Sequence, residues 1–101
     1  SDDDIKGFFK NPLIKALIIL NQVNHKKLFK VFTRQIIKDL KNTKETILLI
    51  NFLNQINKTS LAIYTGRKAI YKNIYLPSLN YPLPKKTLLE TDALLFEVIN
   101  S

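Results

Sequence analysis

The spacing of apolar residues along this chain changes at about Lys58. Before that point apolar positions recur at helical intervals; after it, residues with strand preference cluster between turn signals. Asn11-Pro12 reads as a helix start, with Asn as N-cap and Pro at the first helical position. Leu13–Leu20 follows, apolar on nearly every side except at Lys15, the pattern of a helix that is buried or sits at an interface. Lys6–Phe9 reads as an extension of it or as a separate turn, with Phe8 and Phe9 packing on the core. Asn21–Asn24 breaks the pattern. Asn24 is read as the cap of a second helix from His25 to about Lys41, with Leu28, Phe29, Phe32, Ile36 and Leu40 on its buried side. Asn42, followed three residues later by Glu45, has the form of a capping box. The third helix it opens runs to about Asn57. It is the expected central core helix, because Ile47, Leu48, Leu49, Ile50, Phe52, Leu53 and Ile56 cover over half its circumference.

Beyond Lys58, Leu61–Thr65 and Lys68–Leu76 carry Ile63, Tyr64, Ile70, Tyr71, Ile74 and Tyr75, all good strand formers. With Gly66 between them they predict a β-hairpin. Pro77, Pro82 and Pro84 predict an extended segment from Pro77 to Lys86, and Ala93–Ile99 reads as one more strand. The expected fold class is therefore α+β: three N-terminal helices, a β-hairpin and a further C-terminal strand. That order resembles a winged helix, in which a third helix enters a DNA groove and the hairpin is the wing. One feature opposes the resemblance: a reading helix needs a polar outer face, and the third predicted helix is the most apolar of the three.

Composition narrows the function classes. A chain of 101 residues with 46% hydrophobic content can bury a single core. The expected organisation is an acidic tail at residues 1–4 and one basic domain over residues 5–101. The chain contains no Met, so either the initiator was removed or this is a domain of a longer protein, and the second is the favoured expectation. The longest unbroken apolar run, Ala16–Leu20, is far shorter than the roughly 18 residues of a membrane span, and no segment reads as a signal peptide. The absence of cysteine removes disulfides, zinc fingers and thiol nucleophiles. It is compatible with a reducing compartment, so an intracellular location is expected, nuclear and cytoplasmic being indistinguishable.

Charge changes the picture more than composition does. The formal net charge is +8, yet all 16 Lys and Arg lie between Lys6 and Lys86 with only Asp39 and Glu45 among them, so that stretch carries +14. Lys27, Lys30, Arg34, Lys38 and Lys41 are spaced 3, 4, 4 and 3. At about 100° per residue they share a strip roughly 80° wide on the second predicted helix, opposite its apolar side. The strip would run about 21 Å at 1.5 Å rise per residue, with no acids at i,i+4 spacing to compensate it. Such a line can track a phosphate backbone or an acidic protein surface. The competing reading is a solvated lysine-rich face in a chain whose Lys, Asn and Ile content has the bias of A- and T-rich codons. A second candidate patch lies on the predicted hairpin: Arg67, Lys68 and Lys72 with Tyr71, and with Tyr64 and Tyr75 interleaved. Half-buried packing is the competing reading for those tyrosines. Tyr81–Lys86 resembles a polyproline ligand in composition only and reads as an ordered connection.

No convergent set of titratable groups is legible. His25 is the one histidine, and Lys26 and Lys27 follow it. Glycine occurs only at positions 7 and 66, so no phosphate-cradling loop can be built. The chain is expected to be non-enzymatic and to use no cofactor, metal or small-molecule substrate. The leading expectation is an assembly domain of a larger complex, binding a protein partner, or itself, through surplus apolar surface and the basic helix face. The alternative is a nucleic-acid-binding module that contacts phosphates through residues 25–41. Neither involves a membrane.

Overall fold

A computed structural model describes residues 2–77. Those residues form the helices α1 (Asp2–Lys10), α2 (Pro12–Gln22), α3 (Lys26–Lys38), α4 (Thr43–Gln55) and α5 (Thr59–Tyr71), and no strand occurs among them. The described chain divides into two compact units, residues 2–33 and residues 34–77, with the boundary inside α3.

In the first unit Asp2, Asp3 and Asp4 occupy the first turn of α1 and Lys10 its last. Both placements favour the helix dipole. Asn11 interrupts the chain for a single residue. Its backbone is extended and its Oδ1 accepts the Leu13 N–H at 2.9 Å, while Pro12 supplies the fixed φ of a first helical residue. α1 and α2 pack on each other. Phe9, Ile14, Leu17, Ile18 and Phe29 are buried, and Phe8 and Phe9 meet edge to face at 5.2 Å between centroids.

In the second unit α4 and α5 form the main packing pair. Asn42 caps α4 by accepting the Glu45 N–H at 2.9 Å, and Glu45 Oε1 in return accepts the Lys41 N–H at 3.3 Å. α4 buries Thr46, Leu49, Phe52 and Leu53. α5 buries Ala62, Thr65, Gly66 and Ala69, positions i, i+3, i+4 and i+7 of one helical face. Every side chain in that stripe is small. Thr46 and Thr65, like Thr33 of the first unit, are fully buried, and each hydroxyl donates to the carbonyl four residues back, Asn42, Leu61 and Phe29 respectively, at 2.7–2.9 Å. Their polarity is thus satisfied inside their own helices, and they pack as small apolar groups.

Three asparagines end helices in the same way. Asn24, Asn57 and Asn73 have φ of 58°, 61° and 61°. The amide of each bonds the carbonyl three residues back, and the next amide reaches the carbonyl five residues back: His25 to Leu20, Lys58 to Leu53, Ile74 to Ala69. These are Schellman closures, with Asn tolerating the left-handed position.

Several expectations are corrected here. The predicted β-hairpin over residues 61–76 is α5 and the irregular stretch after it, so the α+β class and the winged-helix-like order do not hold; the described part is all-helical. The error has a physical origin. The strand formers Ile63, Ile70 and Tyr71 lie on the exposed side of α5, at 54%, 57% and 82% exposure, whereas the face that directs its packing is written in Ala, Thr and Gly. Gly66 is a buried mid-helix residue, not a turn. Asn24 closes α2, and His25 caps α3, its Nδ1 accepting the Leu28 N–H at 3.3 Å. Residues 6–9 belong to a separate helix, α1. The predicted strand Ala93–Ile99, and all but Pro77 of the extended segment to Lys86, lie outside the described residues. Among the described residues no helix is long and apolar enough to cross a membrane.

The small-residue face of α5 sets a stability contrast. Ala69→Leu overfills a buried site and is expected to cost about 1–3 kcal/mol. Ile63→Ser removes an exposed side chain and is expected to stay within about 0.5 kcal/mol. Urea unfolding followed by circular dichroism measures both; a larger loss at Ile63 than at Ala69 would contradict the assignment of the buried face.

Candidate anion-binding site

The second unit brings together cations that are distant in sequence. Arg34, Ile37 and Lys38 of α3, Tyr64 and Lys68 of α5, and Lys72 at the C-cap of α5 line an open pocket of about 310 Å³. Helical spacing positions each set. Arg34 and Lys38 are four residues apart on α3, and Tyr64, Lys68 and Lys72 follow at the same interval along one side of α5. Tyr64 is half-buried, and Ile37 is buried as part of the core. The Arg34 guanidinium carbon lies 5.9 Å from the Tyr64 ring centroid and Lys68 Nζ lies 5.5 Å from it. Both are near the outer limit of a cation–π contact, so the ring holds two cations loosely.

Lys72 has a different task. Its Nζ donates to the Ile37 carbonyl at 2.8 Å and to the Lys38 carbonyl at 2.7 Å. Those carbonyls belong to the last turn of α3, where the negative end of the helix dipole attracts a cation; the Ile37 carbonyl also accepts the Leu40 N–H at 3.2 Å. Lys72 thus ties the end of α5 to the end of α3 across more than thirty residues of chain. Thr43 Oγ1 donates to the Tyr75 carbonyl and fixes the stretch after α5 beside the start of α4. Among the described residues no carboxylate pairs with Arg34, Lys38, Lys68 or Lys72.

The structure redistributes the two predicted patches. Lys27 and Lys30 are exposed on the first half of α3, in the first unit, and do not line the pocket. Arg34 and Lys38 do. Lys41 is exposed but lies beyond the end of α3, in the connection to α4. Of the second patch, Lys68 and Lys72 line the pocket; Arg67 and Tyr71 are exposed and do not. Two cations from each patch therefore merge into one cluster. Tyr64, interleaved with the second predicted patch, lines the pocket as well, and Ile37, which the sequence did not point to, completes it. Among the described residues no group of three or more His, Asp or Glu side chains is arranged to hold a metal.

The capping role of Lys72 is separable from the binding surface. Lys72→Met keeps the aliphatic stem but removes two charge-assisted hydrogen bonds, and is expected to cost about 1 kcal/mol, the bonds being partly solvent-screened. Lys38→Met is expected to change stability by less than about 0.5 kcal/mol. Chemical denaturation of the two variants checks the pair, and equal effects would remove Lys72 from its structural role.

Comparison of the chain with protein-family models, with curated proteins and with solved structures returned no match.

Proposed function

We propose that this chain is a non-enzymatic binding module that engages an anionic macromolecule through the cationic surface of its second unit. The observation that carries the reading is the convergence of Arg34, Lys38 and Lys68 on one pocket, Arg34 and Lys68 beside the Tyr64 ring, with no carboxylate among the described residues to neutralise them. Like charges held together without partners repel one another, at a cost of a few tenths of a kcal/mol per helical pair. A solvated face relieves that cost by mixing signs; this one leaves it for a ligand to relieve. The cations also sit over a pocket with an aromatic and an aliphatic wall, where a bound anion is less exposed to solvent than on a flat surface.

A second reading, assembly with a protein partner, rests on a different observation. Ile19, Val23, Val31, Ile63 and Ile70 are each at least half exposed in the described part of the chain. Exposed apolar residues that form a contiguous patch mark partner surfaces. They are spread over α2, α3 and α5, whereas the cations converge on one pocket, and on that ground the anionic partner comes first.

The test is retention on immobilised heparin, a generic polyanion, over a salt gradient. The full chain is compared with the triple variant Arg34→Glu, Lys38→Glu, Lys68→Glu and with a charge-matched control, Lys6→Glu, Lys10→Glu, Lys26→Glu. Binding to a polyanion weakens steeply with salt because counterions are released. The pocket variant is expected to elute at much lower salt than the control. If the two elute together, retention reflects net charge alone and the pocket has no special part in it.

A further inference from the structure

Resting on the binding reading above, we infer that the pocket takes one nucleotide unit of a single-stranded nucleic acid, its phosphate on Arg34, Lys38 and Lys68 and its base against Tyr64. The inference comes from the mixed character of the site. Its rim is cationic and its walls are a half-buried tyrosine ring and a buried isoleucine, Ile37. A duplex presents phosphates to such a rim but keeps its bases stacked inside, so the aromatic wall would go unused. An acidic protein surface presents carboxylates with no planar group beside them. A single strand offers an anion and an unstacked aromatic face within one repeat, the combination that aromatic side chains in cationic grooves bind. The volume, about 310 Å³, is of the size of small-molecule sites and suits one nucleotide.

The two cation–π contacts supply the means of admission. At 5.9 and 5.5 Å, Arg34 and Lys68 are held near the ring but not tightly against it. A phosphate draws both toward its oxygens, Arg34 through two parallel N–H donors. The ring they flanked is then available to the base. Lys72 stays on the α3 carbonyls and keeps α3 and α5 at their spacing while the other cations move. Ion pairing and stacking are thereby coupled through one tyrosine, and a purely electrostatic surface would show no such coupling.

The experiment uses the full chain and fluorescence anisotropy at fixed, low salt. The probes are an oligothymidylate of about twelve nucleotides, within the range of single-strand site sizes, an abasic oligomer of the same length and charge, a duplex, and polyglutamate as competitor. The oligothymidylate is expected to bind about tenfold more tightly than the abasic oligomer, the effect of one stacked base. Tyr64→Leu is expected to abolish that difference and Tyr64→Phe to preserve it; the Phe variant keeps the ring and guards against misreading a folding defect, which circular dichroism of both variants also checks. Equal affinity for base-bearing and abasic strands overturns the inference and leaves the anionic-partner reading standing. So does a duplex bound as tightly as the single strand, or displacement of the oligothymidylate by polyglutamate at equal charge. A chain that binds none of the polyanions overturns both readings.

Discussion

Helix α5 seats its smallest side chains inward, and the second unit is organised around that choice. Ala62, Thr65, Gly66 and Ala69 offer almost no side-chain bulk on the buried face, so the helix can approach its neighbour closely, while α4 supplies the volume with Leu49, Phe52 and Leu53. Interiors pack to crystal-like density, and a small face on one helix needs a large one opposite. The same seating turns Tyr64, Lys68 and Lys72 to the side of α5 that meets the end of α3. Were Ile63 and Ile70 the buried residues instead, the helix would be rotated and the cationic cluster would not assemble.

Polar groups inside this packing are satisfied locally. The three buried threonines bond back to their own helices, and no buried side-chain nitrogen or oxygen among the described residues lacks a partner. Asparagine does the corresponding work at helix ends, as N-cap at positions 11 and 42 and as the left-handed closing residue at 24, 57 and 73. One residue type serves both purposes because its short amide can accept from a following amide and its backbone can tolerate positive φ. Among the described residues the three left-handed positions outside glycine are all asparagine.

Electrostatics and packing meet at Lys72. Placed with three other cations around one pocket, it would add to their repulsion, but its ammonium is directed at the carbonyl end of α3, where negative dipole charge compensates it. Of the remaining three, Arg34 and Lys68 have the Tyr64 ring as a neighbour, which is a weak partner. One lysine is thus committed to holding α3 and α5 together, while Arg34, Lys38 and Lys68 have no carboxylate partner among the described residues.

Much of the N-terminal half was legible in the sequence because its signals are local. Asn11-Pro12 and Asn42-x-x-Glu45 mark the starts of α2 and α4 through bonds that span two or three residues. The spacing of large apolar residues located part of the buried side of α3, where Phe29, Ile36 and Leu40 are buried but Leu28 is exposed and Thr33 and Ile37 are buried in addition; the lysines opposite are exposed. Asn24 was ambiguous in kind, since capping and closing use the same residue, and only the hydrogen bonds of Asn24 and His25 separate the two. α5 was illegible for a stronger reason. Strand propensity and large apolar residues both pointed away from helix, and the deciding face is written in residues that carry no hydrophobic signal until a neighbour covers them. Identity and spacing of the cations are properties of the sequence alone. That Arg34 and Lys38 share a pocket with Lys68, while Lys27, Arg67 and Tyr71 do not line it, was decided by tertiary structure, because it depends on how α5 is rotated against α4, and rotation is set by packing volume.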